Sequence, residues 1–118
     1  EQDAEFVALP LYDGEIGIAP SHSPMIGRLG YGEMRIRSAG GSTATYYIDG
    51  GFVQVADNVV SVLTSRAVPS TRLNASAAQD QLDAATKRQA NTPELAELRD
   101  KAISQARAQI RIARRAAR

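Results

Sequence analysis

The sequence predicts a β + α protein in two parts: short antiparallel strands up to about Arg66, forming a sandwich or barrel, then two helices after Pro69. Three observations carry this. Apolar residues alternate at period two in the first half and recur every three or four residues in the second. Turn-forming pairs punctuate the first half at close spacing, at Asp13-Gly14, Gly40-Gly41, Gly50-Gly51 and Asp57-Asn58. A helix-start signature, Asn91-Thr92-Pro93-Glu94, opens the last stretch.

In order along the chain, Phe6-Val7-Ala8-Leu9 is an apolar run suited to a buried strand, ended by Pro10 and the Asp13-Gly14 turn. The segment from Gly14 to Ile26 mixes strand formers with breakers. Gly14 and Gly17 permit backbone angles closed to other residues, and Pro20 and Pro24 lack a backbone donor. A strand interrupted by a rigid, exposed loop is expected, with Ser21, His22 and Ser23 held between two prolines. Such a loop gives up sheet hydrogen bonds, so it reads as a recognition surface.

Glu33-Met34-Arg35-Ile36-Arg37 alternates strictly, with Met34 and Ile36 inward and three charges outward. Ala39-Gly40-Gly41-Ser42 marks a hairpin into the β-branched and aromatic stretch Thr43 to Ile48. Asp49-Gly50-Gly51 then turns the chain, Phe52 to Val55 runs back, and Asp57-Asn58 turns it again into Val59 to Leu63.

Past Pro69, Asn74 can cap a helix whose Ala75, Ala78, Leu82 and Ala85 share one face. The second helix starts with Thr92 as N-cap, Pro93 at the first helical position and Glu94 at the positive end of the dipole. Its stripe is Leu95, Leu98, Ala102, Ala106, Ile110, Ala113 and Ala117. An alanine-rich face is held weakly, because it gains far less than the ~1.5–3 kcal/mol of a buried leucine. A hairpin held in that way is expected to be able to leave its docking site.

Net charge is +1, but from Leu98 onward seven basic residues face one acid, a local +6 that leaves −5 on the rest. A basic tail on a mildly acidic body points to an acidic partner. The absence of cysteine removes disulfides, thiol chemistry and cysteine-ligated zinc, and no run approaches the ~18 apolar residues of a membrane span.

Catalysis finds little footing. His22 is the sole histidine, and Ser21 and Ser23 beside it lack the orienting third group that an activated nucleophile needs. His22 can bond its own turn or meet a partner. Neither glycine pair has phosphate-loop spacing, so both read as turns. Asp80 and Asp83 read as solvated. Arg107, Arg111, Arg114, Arg115 and Arg118 align along one side of the second helix, as a solvated face or a stripe docking on an acidic surface. A β module whose basic helix binds nucleic acid is the alternative, although interleaved stacking aromatics are absent.

Several segments together resemble the epsilon subunit of F-type ATP synthases, the delta subunit in mitochondrial nomenclature. They are Gly14-Glu15-Ile16-Gly17-Ile18 with Pro20-Ser21-His22-Ser23-Pro24, then Gly32 to Ile36, Tyr47 to Val55, and Asn58 to Leu63. The resemblance covers nearly the whole chain. It implies an N-terminal antiparallel β-sandwich of about ten strands over residues 1–69, with roughly the family's first strand lying before Glu1. A C-terminal antiparallel two-helix hairpin over 70–118 completes it.

By the same resemblance the protein is a non-catalytic rotor subunit of a proton-translocating complex, without cofactor or metal. Its expected partners are the gamma subunit, the c-ring and the alpha/beta catalytic head, with no nucleic acid. Membrane association is expected only through the complex, at the cytoplasmic face of the bacterial plasma membrane, with the thylakoid stromal face as second choice. Glu15, Ser21 and His22 fall where the family touches the c-ring. Arg107, Arg111, Arg114 and Arg115 fall where an extended hairpin meets an acidic loop of the head and blocks ATP hydrolysis.

Many bacterial members bind ATP through an [IL]-D-x-x-R-A motif, where this chain reads Leu73-Asn74-Ala75-Ser76-Ala77-Ala78. Asn74 replaces the acid, Ala77 the arginine, and Gln105 and Gln109 stand at the second-helix arginine positions. Neutral donors are about half as strong as charged ones toward phosphate, so no nucleotide binding is expected.

Overall fold

In the computed structural model, residues 2–117 are described. The chain divides into two compact units, Glu1–Pro69 and Ser70–Arg118.

The first unit holds six strands among the described residues: β1 (Phe6–Leu11), β2 (Gly14–Ile18), β3 (Met25–Arg37), β4 (Thr43–Ala56), β5 (Val59–Leu63) and β6 (Ala67–Pro69). They form one antiparallel sheet in the order β2-β1-β3-β4-β5, with β6 also on β4. This differs from the roughly ten strands implied by the family resemblance, in part because β3 and β4 each run as one long bent strand; with their halves counted separately there are eight.

Gly50-Gly51 does not reverse the chain, contrary to the sequence reading. β4 continues through it and stays paired with β3 from Met25↔Val55 to Arg37↔Thr43. The pair has φ of +75° and +111°, values closed to most side chains, and it bends the strand. Tyr46 and Ile48 face the core before the bend, Val53 and Val55 after it, so the inward parity changes there. β3 makes the same change between Leu29 and Met34. Both halves of each strand thus line one interior, where Val7, Leu9, Ile18, Leu29, Met34, Ile48, Val53 and Val55 pack together. Beyond the bend β4 pairs with β5, and before it with β6.

Three further expectations change. Pro10 does not end β1; it lies inside it, where the β1–β3 register shifts between Ala8 and Leu11 and a missing donor is tolerated. Gly17 is not in the left-handed region; a Cβ there would lie 2.6 Å from the Phe6 ring, so any side chain at this position would have to displace that ring. Glu33 is not a solvated charge, as its side chain is only 9% exposed.

In the second unit a 3-10 turn, Ser70–Arg72, precedes α1 (Ala75–Thr86) and α2 (Pro93–Ala116). The caps are as expected. Asn74 Oδ1 accepts from the Ala77 N–H at 3.1 Å and Thr92 Oγ1 from the Leu95 N–H at 3.2 Å. Ala78 and Ala85 are buried, with Ala75 and Leu82 half-buried beside them. The long stripe predicted for α2 is only partly covered. Leu95 and Leu98 are 43% and 59% exposed, while Ala106, Ala108, Gln109, Ile110, Ile112 and Ala113 are buried. Length explains this: 12 residues of α1 rise about 18 Å, half of the 24-residue α2.

Candidate functional site

Two surfaces carry the residues singled out in the sequence, one in each unit. On the first, β2 ends at buried Ile18 and the chain leaves the sheet until Met25. Ser21 takes a left-handed conformation, φ 64°. Its backbone N–H donates to Asn58 Oδ1 at 2.8 Å. Asp57 and Asn58 have φ of 51° and 60° and form the two-residue turn between β4 and β5, the backbone that a tight hairpin requires. The loop and the turn, 37 residues apart in sequence, are thereby tied tip to tip.

His22 is half-buried, and its Nδ1 lies 2.7 Å from the Ser23 carbonyl oxygen. A carbonyl only accepts, so Nδ1 carries the proton and Nε2 is the acceptor of the neutral ring. The imidazole thus bonds its own loop, one of the two roles expected for it, and Nε2 is available for the other.

Glu15 stands near the opposite end of β2, some 10 Å of strand from the loop. Its Oε1 accepts from Arg35 Nη2 at 2.9 Å, and Arg35 Nη1 donates to Glu33 Oε1 at 2.9 Å. The hydrogen bond with Glu33, then that with Glu15, raises the Arg35 guanidinium above its ordinary value. Glu15 is the exposed end of this ion triplet, at 56%, so it is both oriented by Arg35 and open to a partner.

On the second unit, Arg107, Arg111, Arg114 and Arg115 are all exposed. They line one open groove of about 400 Å³ together with Gln79, Leu82 and Ile110. Leu82 and Ile110 supply the apolar part of the wall, and no acid contributes to the lining. Spacings of three and four put the guanidiniums on one side, as the sequence implies. Arg118, the last of the series, lies outside the described residues. Among the described residues no group of three His, Asp or Glu side chains is placed to hold a metal. No described helix is long and apolar enough to cross a membrane.

Residues 1–70 match the family model described as ATP synthase, Delta/Epsilon chain, beta-sandwich domain. The ATP synthase epsilon chain of Rhodopirellula baltica is 46% identical over 114 residues, covering 97% of this chain and 88% of that one. This chain belongs to the ATP synthase delta/epsilon family. The epsilon chain of Delftia acidovorans is 42% identical over 77 residues, covering 65% of this chain and 56% of its own length. Among solved structures, a chain of the Euglena gracilis mitochondrial ATP synthase superposes with a TM-score of 0.80 at 25% identity, over 99% of this chain and 72% of its own. A chain of the Tetrahymena thermophila mitochondrial ATP synthase shares the fold, with a TM-score of 0.74 at 16% identity, over 93% of this chain and 82% of that one.

Within this family the nucleotide-motif positions can be placed on the structure. Asn74 uses Oδ1 to cap α1, Ala77 is exposed, Gln105 is half-buried and Gln109 is buried at 6% exposure. Two residues of the first surface were not singled out from the sequence. Arg35 appeared only as an outward charge in an alternating strand, and Asn58 only as a turn former. The Asp57-Asn58 pair signalled the turn, but nothing local signalled its bond to Ser21.

Proposed function

We infer that this chain is a non-catalytic subunit of the rotor stalk of an ATP synthase, associated with the membrane through that complex. The observation that carries the reading is 46% identity to an ATP synthase epsilon chain across nearly the full length of this one. This reading replaces that of a nucleic-acid-binding module. The β unit is the part that joins the gamma subunit to the c-ring. Glu15, Ser21 and His22 are its ring contacts, supported by their exposure or accessibility and by the stiffness of the elements that hold them. Torque crosses such a contact only if the backbone behind it does not yield. A proline-bounded loop tied to a second hairpin meets that requirement.

The helical unit acts on the alpha/beta catalytic head. Extended, it presents Arg107, Arg111, Arg114 and Arg115 to an acidic surface and restrains ATP hydrolysis. Support comes from the groove in which four guanidiniums meet two apolar side chains without an acid in the lining. The complex sits at the cytoplasmic face of the bacterial membrane. Co-purification tests the assignment. With any preceding native residues included, a tagged form of this chain should retain a gamma-like subunit and the ring through a salt wash. Recovery of the chain alone would refute it.

A further inference from the structure

We propose that Asn58 is a positioning residue for the Ser21–His22 loop, and that the β4–β5 turn and the β2–β3 loop work as one composite tip. The inference rests on the ring-contact reading for its purpose and on geometry for its mechanism. Ser21 and Asn58 are both left-handed, at 64° and 60°. A left-handed Asn in a two-residue turn is explained by the turn alone. A left-handed Ser in a loop is not, since Ser has no special ease in that region.

What holds Ser21 there is the donation of its N–H to Asn58 Oδ1 at 2.8 Å. The bond fixes the Pro20–Ser21 peptide, one residue before His22. It therefore sets where the imidazole lies, while the Nδ1 contact with the Ser23 carbonyl sets how the ring is turned. Two hydrogen bonds, one on each side of His22, leave Nε2 as the ring nitrogen that a partner can engage. Among the described residues Nε2 has no partner of its own. Pro20 and Pro24 restrict the loop's ends, but neither constrains the peptide between them. Asn58 supplies that missing restraint from the far end of another hairpin.

Two substitutions separate this role from the turn's own needs. Asn58→Gly keeps the left-handed turn and removes the acceptor; Asn58→Asp keeps both. In native-state hydrogen exchange of the whole chain, Asn58→Gly should speed exchange of the Ser21 amide roughly five- to tenfold, the loss of one hydrogen bond. Asn58→Asp should leave it slow with the melting temperature near the parent's, while Asn58→Gly should melt lower by no more than the roughly 4–8 °C that one hydrogen bond is worth. Affinity for a gamma–ring subcomplex should fall about fivefold in Asn58→Gly, less than in His22→Ala, and be restored in Asn58→Asp. An unchanged Ser21 exchange rate in Asn58→Gly overturns the proposal. If exchange quickens but only His22→Ala loses binding, the positioning role fails and the ring-contact reading stands. If neither variant loses binding, the ring-contact reading fails and takes the positioning role with it.

Discussion

Four glycines form an internal experiment on what the bent sheet requires. Gly40 has neither a left-handed backbone nor any atom within 4 Å of a built Cβ. Gly41 has the backbone, φ +88°, but open space. Gly17 has an ordinary backbone, but its Cβ would lie 2.6 Å from Phe6 Cζ. Gly51 has both, with φ +111° and a Cβ falling on the Leu63 carbonyl, backbone that cannot swing aside. Alanine at Gly40 should change stability by less than about 0.5 kcal/mol. At Gly41 the strained region costs about 1 kcal/mol, the low end for a lone outlier on an exposed turn. At Gly17 the Phe6 ring must leave its place beneath Arg37, whose guanidinium lies 5.3 Å from the ring centroid, at a cost of about 1–3 kcal/mol. At Gly51 strain and backbone collision add, and the Phe52↔Leu63 pairing is pushed apart, so at least about 3 kcal/mol is lost. At ~4–8 °C per kcal/mol for a small domain, Gly51→Ala should melt at least about 12 °C below the parent and Gly40→Ala within about 4 °C. Circular dichroism melts of the four variants read this directly. A Gly51→Ala variant melting within about 4 °C of the parent would show that β4 does not bend at that pair.

Three other outcomes follow from the two surfaces. Arg35→Met should destabilise by about 1–2 kcal/mol in urea titrations and Glu15→Gln by less than about 0.5, because Glu33 is 9% exposed and Glu15 56%. The raised Arg35 value favours folding at every pH below the ordinary arginine range and is lost only above it, so this residue should give no slope between pH 6 and 9. Millimolar ATP at about 0.15 M salt should leave the melting temperature unchanged, since Asn74 is occupied as a cap and Ala77 offers no donor. A site filled to one hundred times its dissociation constant would add about 2.7 kcal/mol, and a clear thermal shift would refute the absence of a sensor. Neutralising Arg107, Arg111, Arg114 and Arg115 together should raise ATP hydrolysis by the assembled enzyme. Four exposed pairs at ~0.2–1 kcal/mol each amount to about 1–4 kcal/mol of head contact. Unchanged hydrolysis would remove charge as the cause.

Much of the fold could be read in the sequence because its signals are local. The β-to-α change of period near Pro69, the Thr92-Pro93 helix start and the Asp57-Asn58 hairpin each depend on a few neighbouring residues, and each appears where expected. The central strands were harder to read for a physical reason. Alternation breaks at Gly50-Gly51, and a break in period two has two causes: the chain reverses, or it bends and carries on with its faces exchanged. Both put glycine at the break. What distinguishes them is the partner. β3 makes its own change of parity between Leu29 and Met34, so the two strands turn the corner together and stay in register. A reversal at Asp49–Gly51 would have needed no such match in β3. The matched change was visible in the apolar residues of both strands, but only to a comparison of one with the other.

The site divides in the same way. Ser21, His22 and the arginine series stood out because residue type and spacing mark them locally. The ties that give them mechanical meaning join residues distant in sequence, Arg35 to Glu15 across 20 positions and Asn58 to Ser21 across 37. For a subunit that transmits force without catalysing a reaction, those ties matter as much as the contact residues. A contact group on a compliant loop moves before its partner does, whatever its affinity. If this tip meets the ring as proposed, its stiffness has to be built from several elements, since a loop of six residues cannot brace its own middle. On this reasoning, substitutions that loosen Ser21 without touching His22 should reduce coupling in the same direction as substitutions of His22, though less. A loss that persists once the partner is saturated sets a transmitting surface apart from one that merely binds.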